Sequence, residues 1–223
     1  MLQFNVAAFV SKYNDLQQNT TIPGGPTGNQ TITSNVGSAT IKGLEIDATL
    51  RPAQGLKFNA TLGLLDSKFK GFIVGNVSPI TAQPIPFDYS RNNPIYSPKL
   101  SGSLSGEYSV PTNFGRVVGN VGYRYIGRYD QQISLGALTG NLTTGPVIVN
   151  GNDSRVKTDK QTLLDASATA HFKLSGANAY LTVFGRNLLD DRGTTAAFNV
   201  AGLWSFASAR EPRTYGVTAG FKF

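Results

Sequence analysis

Period-two alternation of apolar and polar side chains constrains this chain more than any other feature. In 163–174, Leu164, Ala166, Ala168, Ala170, Phe172 and Leu174 fall on one face, and Asp165, Ser167, Thr169, His171 and Lys173 on the other. A strand separates two such sets because successive side chains point to opposite sides, whereas a helix would smear both around its circumference. The pattern returns in 43–51, where Leu44, Ile46, Ala48 and Leu50 oppose Glu45, Asp47, Thr49 and Arg51. It returns again in 56–63, with Leu56, Phe58, Ala60 and Leu62 against Lys57, Asn59 and Thr61. In 117–128, Val117, Val121, Tyr123 and Tyr125 oppose Asn120, Arg124 and Arg128. At the end, Tyr215, Val217, Ala219, Phe221 and Phe223 oppose Gly216, Thr218, Gly220 and Lys222. The pattern predicts eight strands, at 2–17, 38–51, 56–70, 97–110, 115–130, 162–175, 178–188 and 212–223, and no helix of useful length.

The connections alternate in length. Pro52-Ala53-Gln54-Gly55, the turn around Pro111-Thr112-Asn113-Phe114, and Ser175-Gly176-Ala177-Asn178 are short. The stretches 18–37, 71–96, 131–161 and 189–211 are long and rich in Gly, Pro, Asn, Thr and Ser. In an up-and-down sheet successive connections lie at opposite ends, so all the short ones share one rim and all the long ones the other. Outer-membrane barrels are built this way, with short periplasmic turns and longer extracellular loops.

Alternation alone does not say whether the apolar face meets lipid or a soluble core, since a lipocalin-like barrel is apolar inside. Composition favours lipid. Charged residues make up 15% of the 223 positions, against about 25% in ordinary soluble domains. No stretch reaches the roughly 20 apolar residues of a transmembrane helix, so a membrane reading has to be a β reading. Aromatic residues near predicted strand ends (Tyr13, Phe69, Phe72, Tyr108, Tyr129, Tyr215, Phe221, Phe223) are expected to form interfacial girdles. The sequence ends within a strand on Phe223, an end that a soluble protein would rarely leave bare.

Several function classes are excluded or disfavoured. There is no cysteine, hence no disulfide or thiolate metal site. The net charge of +7 is spread over singly placed Lys and Arg residues, which does not make a nucleic-acid patch. Asp165, Ser167 and His171 share a face, but Ser167 and His171 stand roughly 13 Å apart along one strand, too far for a nucleophile and its base. Glu45 and Asp47, near Lys42 and Arg51, read as paired lumen charges. Asn150-Gly151-Asn152-Asp153-Ser154 lacks the spaced ligands of a calcium loop and reads as a flexible surface loop. No catalytic, cofactor or metal site is expected. Met1-Leu2-Gln3-Phe4-Asn5 carries no export signal, and we expect the natural protein to begin upstream of Met1.

Particular segments carry a family resemblance. Tyr13-Asn14-Asp15-Leu16-Gln17, then a long loop, then Gly43-Leu44-Glu45-Ile46-Asp47 resembles consecutive strands of TonB-dependent receptors. Ser97-Pro98-Lys99-Leu100-Ser101-Gly102 resembles a strand start in the same barrels. Phe184-Gly185-Arg186-Asn187-Leu188-Leu189-Asp190-Asp191, a loop, and Pro212-Arg213-Thr214-Tyr215-Gly216-Val217 resemble that family's ending, an Asn-Leu-aromatic-Asp pattern followed by a Pro-Arg pair. Leu189 stands where the aromatic residue is usual.

The resemblance implies a 22-stranded barrel with a plugged lumen, a bacterial outer-membrane location, and energised uptake of a chelated nutrient such as a ferric siderophore. Residues 1–223 would then be a partial barrel domain, the plug and its TonB-contacting segment being absent. The expected partners are outer-membrane lipid, the barrel-assembly machinery, a small chelate ligand, and the TonB complex through the missing plug. By the same resemblance, Tyr215, Val217, Ala219, Phe221 and Phe223 would form the barrel-assembly signal. Phe198, Trp204 and Phe206, in the last long loop, would either touch ligand or pack that loop against its neighbours. The competing expectation is a complete small eight-stranded barrel with a structural or adhesion role. Inward positions at Gly63, Gly122, Gly216 and Gly220 suit the wall of a wide barrel better than the filled interior of a narrow one.

Overall fold

The computed structural model describes residues 1–23, 29–200 and 204–222. Strands dominate: β1 (Leu2–Pro23), β2 (Asn29–Ala53), β3 (Leu56–Lys70), β4 (Ile73–Val77), β5 (Pro84–Asp88), β6 (Leu100–Thr112) and β7 (Gly115–Ile126). They continue with β8 (Ala137–Gly140), β9 (Val147–Asn150), β10 (Gln161–Leu174), β11 (Ala177–Arg186), β12 (Thr194–Val200), β13 (Trp204–Ala209) and β14 (Thr214–Lys222). Eight of them form one sheet in the order β1-β2-β3-β6-β7-β10-β11-β14. Every neighbouring pair in it is antiparallel. The predicted eight-strand meander is therefore observed, with short turns on one rim and long connections on the other. Among the described residues β1 and β14 are the two edges and do not pair with each other.

The β10–β11 turn shows how local sequence sets register. Its two residues, Ser175 and Gly176, both have positive φ, 50° and 89°. That is the requirement of a type I′ hairpin, whose twist matches the flanking strands.

Cross-strand register assigns every side chain to a face. Across the lower two thirds of β1–β3, one face carries Val6, Ile46 and Leu62 in one row and Phe4, Ala48 and Ala60 in the next. The other face carries Asn5, Asp47 and Thr61. The apolar face stays exposed from edge to edge: Leu104 is 54% accessible, Val183 50% and Val217 67%. No second layer covers it among the described residues.

Towards the long-connection rim the polarity inverts. On the formerly apolar face, Val10 and Leu44 give way to Lys12, Lys42, Asp66, Lys68 and Lys70. On the formerly polar face, Ala39 and Phe69 become buried. They lie under a four-stranded sheet, β4-β5-β9-β8, built from the loops 71–96 and 131–161. The two loops are joined by a parallel ladder, Phe87↔Val147 and Asp88↔Ile148. The main hydrophobic core of the described residues is here: Phe72, Phe87, Tyr89, Ile133, Val147 and Val149 are fully buried with Phe69 and Ala39. Each large side chain contributes roughly 1.5–3 kcal/mol by leaving water. Phe72 bridges Phe69 and Tyr89 at centroid distances of 5.1 and 5.4 Å. Burial pushes the Tyr89 hydroxyl up to about 12, against the hydrogen bond from Asn76, which favours ionisation.

Three expectations need correction. Residues 18–37 are not a plain loop, because β1 and β2 keep their ladder up to Pro23↔Asn29. Their Thr- and Asn-rich segment favours strands through its β-branched residues but lacks an apolar face, so no alternation betrays it. The other long connections are not structureless either, since they hold six short strands and a 3-10 turn at Ser154–Val156. Nor do all the aromatic residues girdle the apolar face. Tyr108, Tyr215 and Phe221 do, at 53%, 67% and 65% accessibility. Phe69 and Phe72 belong to the loop core, Tyr13 pairs with Ala39 on the opposite face, and Tyr129 meets the Tyr96 ring at a tilt, with centroids 6.0 Å apart. Phe223 lies outside the described residues.

Candidate functional site

The polar face of the sheet is a trough of hydroxyls, amides and separated charges. Thr61 and Ser103 share a hydrogen bond of 2.8 Å, Thr169 and Thr182 one of 2.9 Å, and Asn59 Nδ2 donates to Ser105 Oγ at 3.3 Å. Lys57, Glu107, Asp165 and Arg186 line the same trough. Three glycines on this face make room for aromatic rings on adjacent strands. A Cβ at Gly43 would meet the Phe9 ring at 2.3 Å, one at Gly216 the Phe184 ring at 2.3 Å, and one at Gly220 the Tyr180 ring at 2.6 Å. Arg186 lies over the Phe184 ring, 5.1 Å from its centroid. Gly216 and Gly220 are thus covered by neighbouring rings, while a Cβ at Gly122 would meet nothing within 4 Å.

The structure does not assemble a catalytic group from the residues weighed above. Ser167 pairs with Asn120 and Phe184, whereas His171 pairs with Arg116 and Tyr180. Asp165 Oδ1 instead accepts the Asn187 backbone N–H at 2.7 Å. Glu45 and Asp47 are not ion-paired among the described residues, and register puts Lys42 on the opposite face. The Asn150–Ser154 segment braces the loops internally. Asn152 Oδ1 accepts from Asn92 and from the Ser134 N–H at 2.6 and 3.0 Å, and Asn150 Oδ1 from Arg91 at 2.7 Å. Asp153 caps the 3-10 turn and pairs with Arg155 at 2.6 Å. That hydrogen bond from Arg155 outweighs desolvation and holds the Asp153 carboxyl below its usual range.

The segment 187–191 is a hub joining three wall strands. Asn187 takes φ 48°, a left-handed conformation that asparagine tolerates better than most residues. Its side-chain amide donates to the carbonyls of Asp191 and Glu211 at 3.0 and 2.9 Å, and its Oδ1 accepts the Asp191 N–H at 3.0 Å. Leu188 N–H reaches Leu164 O at 2.7 Å. Asp191 accepts the N–H groups of Thr162 at 2.7 Å and Gly193 at 3.0 Å, and pairs with the Arg210 guanidinium. Partial burial opposes ionisation of Asp191, but those N–H groups and Arg210 outweigh it and lower its pKa. Asp190 accepts the Arg213 N–H and the Arg192 guanidinium, and both lower its pKa. The Asn, the second Asp and the Pro-Arg pair noticed in the sequence thus tie the start of β10, the end of β11 and the start of β14 together.

Sequence reasoning missed Arg210, which is 9% exposed, and also Gln131 and Gln132. Both glutamines hydrogen-bond the edge of β12 as a strand would: Gln132 bonds Asn199 N and O at 3.0 Å each, and Gln131 bonds Ala197 N at 2.5 Å and Thr195 O at 2.8 Å. Nothing in their local sequence announces this. The same hairpin turns Ala197 and Asn199 inward and Phe198, Trp204 and Phe206 outward, at 44%, 56% and 52% accessibility. Phe198 and Trp204 meet at 5.9 Å. Tyr215, Val217, Ala219 and Phe221 line the apolar face of the edge strand β14, opposite Gly185, Val183, Leu181 and Ala179.

The fold of the sheet resembles that of solved uptake receptors and of a metal transporter. The ferric yersiniabactin uptake receptor FyuA from Yersinia pestis superposes over 100% of this chain and 28% of its own, with TM-score 0.68 and 18% identity. The siderophore receptor PiuA from Acinetobacter baumannii covers 98% and 25%, with TM-score 0.59 and 20% identity. The copper transporter OprC covers 100% and 29%, with TM-score 0.63 and 17% identity. The chain therefore spans between a quarter and a third of the length of these structures, and at such identities they speak to the fold alone. No curated protein matches the chain. The family model described as TonB dependent receptor-like, beta-barrel matches residues 1–188; this chain belongs to the TonB-dependent receptor β-barrel family, whose members are outer-membrane receptors and transporters, not enzymes.

Proposed function

We propose that these eight strands are the C-terminal part of the barrel of an outer-membrane receptor that imports a chelated nutrient such as a ferric siderophore. The observation that carries this reading is the bare apolar face. It runs across all eight wall strands with no covering layer among the described residues, while the trough behind it is polar. A face of that extent is unfavourable in water and matches the lipid-facing band of a transmembrane barrel. The two unpaired edges, β1 and β14, suit a segment of a larger closed wall, since exposed edges invite aggregation. The folded loop sheet sits on the long-connection rim, where a ligand would arrive. Phe198, Trp204 and Phe206 offer it an aromatic surface. The β14 residues Tyr215, Val217, Ala219 and Phe221, with Phe223 beyond them, would present the barrel-assembly signal. The TonB complex would engage a plug segment of the intact receptor.

The size of the native polypeptide tests this. An antibody against 131–161 is used to blot outer membranes of the source cell. A band several-fold larger than 23.8 kDa supports a full receptor. A heat-modifiable band near that mass overturns it in favour of a small closed barrel.

A further inference from the structure

The lysines at the polarity inversion form a patch that the transport reading leaves unused. Register places them in three successive rows on the face that is apolar below. Val10, Lys42 and Asp66 form the first row, Lys12, Thr40 and Lys68 the second, and Asn14, Ser38 and Lys70 the third. Directly beneath lie Ala8, Leu44 and Leu64. Lys12 and Lys68 stand two strands apart, roughly 9–10 Å, and successive rows are roughly 7 Å apart. All four ammonium groups can therefore converge on one small anion at the edge of the apolar band. Asp66 is the single acidic residue in the three rows and pairs with Lys68 at 3.5 Å. Lys12, Lys42 and Lys70 have no acidic partner among the described residues, and the patch carries a net charge of +3.

We propose that this patch is a binding site for the phosphate-bearing headgroup of a lipid in the leaflet on the long-connection side. The inference rests on the membrane reading above. The apolar rows below would hold the acyl chains, and the lysines would hold the phosphate. Lysine suits this position because its long stem lies along apolar surface while the ammonium group reaches the headgroup layer. Basic clusters beside a membrane attract anionic lipids at about 1 kcal/mol per residue. The hydroxyls of Thr40 and Ser38, both half-buried within the rows, add neutral donors.

The test uses the native receptor extracted in mild detergent and exchanged into bicelles of phosphatidylcholine with or without phosphatidylglycerol. Lipid retained on the protein is counted by native mass spectrometry. Preferential retention of phosphatidylglycerol is expected. Each Lys→Gln change at 12, 42 or 70 should weaken retention about fivefold, the equivalent of about 1 kcal/mol. The quadruple change Lys12→Gln, Lys42→Gln, Lys68→Gln, Lys70→Gln should abolish the preference. Lys173→Gln, on the polar face beside the Ser175-Gly176 turn, should leave it unchanged. Inorganic phosphate should not displace the lipid. A quadruple variant that keeps the preference overturns the site, and so does displacement by inorganic phosphate, which would make it a free-anion site. Insertion is read separately by heat-dependent gel mobility. A protein that inserts without headgroup preference sinks this proposal alone, whereas one that never inserts sinks the membrane reading with it.

Discussion

Replacing Asp191 by alanine should loosen one corner of the wall by an amount the geometry sets. Asp191 joins three elements: it accepts the Thr162 N–H at the start of β10, the Gly193 N–H ahead of β12, and the Arg210 guanidinium after β13. The side chain of Arg210 is 8% exposed and that of Asp191 17%. Removing one member of a buried pair leaves the other charge stranded, at a cost of 3–5 kcal/mol. Asp191 keeps some water contact, so the low end applies, about 3 kcal/mol, or roughly a hundredfold in the opening equilibrium. Because Arg210 Nε and Nη2 have no other acceptor among the described residues, nothing replaces the carboxylate. The readout is hydrogen exchange at the Thr162 and Gly193 amides in the detergent-folded protein, with the fluorescence of Trp204, the sole tryptophan, as a local reporter. Both amides should lose about two decades of protection. Adding Arg210→Met should recover part of the loss, since the stranded charge is then gone. Unchanged protection in Asp191→Ala, or strictly additive costs in the double variant, would refute the buried-pair account.

Three further outcomes are expected. The carboxyl groups of Asp153, Asp190 and Asp191 all have lowered pKa values, so their contribution is fully present above the unfolded value of about 3.9. It should be lost as pH falls below that through the folded values, and a urea midpoint constant down to pH 3 would contradict this. Leu104→Arg, in the central apolar row opposite Ala60, should cost about 2–4 kcal/mol in a bilayer, while Thr218→Arg on the polar face should cost little; equal effects on heat-modifiable folding would show that the face assignment is wrong. Gly216→Val should force the Phe184 ring aside and cost about 1–3 kcal/mol; Phe184→Ala in the same chain should relieve it, and a denaturant titration showing no relief would disprove the contact.

Strand number, order and face were legible in the sequence wherever one side of the sheet meets a different medium from the other. Leu164 to Leu174 and Tyr215 to Phe221 alternate because one set faces away from the polar trough, and a one-residue slip would exchange every side chain. The same reasoning failed in the 18–37 hairpin, whose Thr- and Asn-rich strands carry no alternation, and where burial comes from a distant loop. Phe69 and Phe72 read as girdle residues until the four-stranded loop sheet is seen above them. That sheet depends on a parallel ladder between Phe87 and Val147, residues sixty positions apart in the chain, and no local period encodes such a contact. The Asn-Leu-Leu-Asp-Asp run marked the hub, but its partner Arg210 lies nineteen positions past Asp191 and emerged only from the folded loop. The alternating pattern thus determined the wall by itself, because a strand's faces are set residue by residue. The tertiary structure alone decided the cap, the buried ion pair and the lysine rows, because each arises from residues that only strand pairing and loop folding bring together.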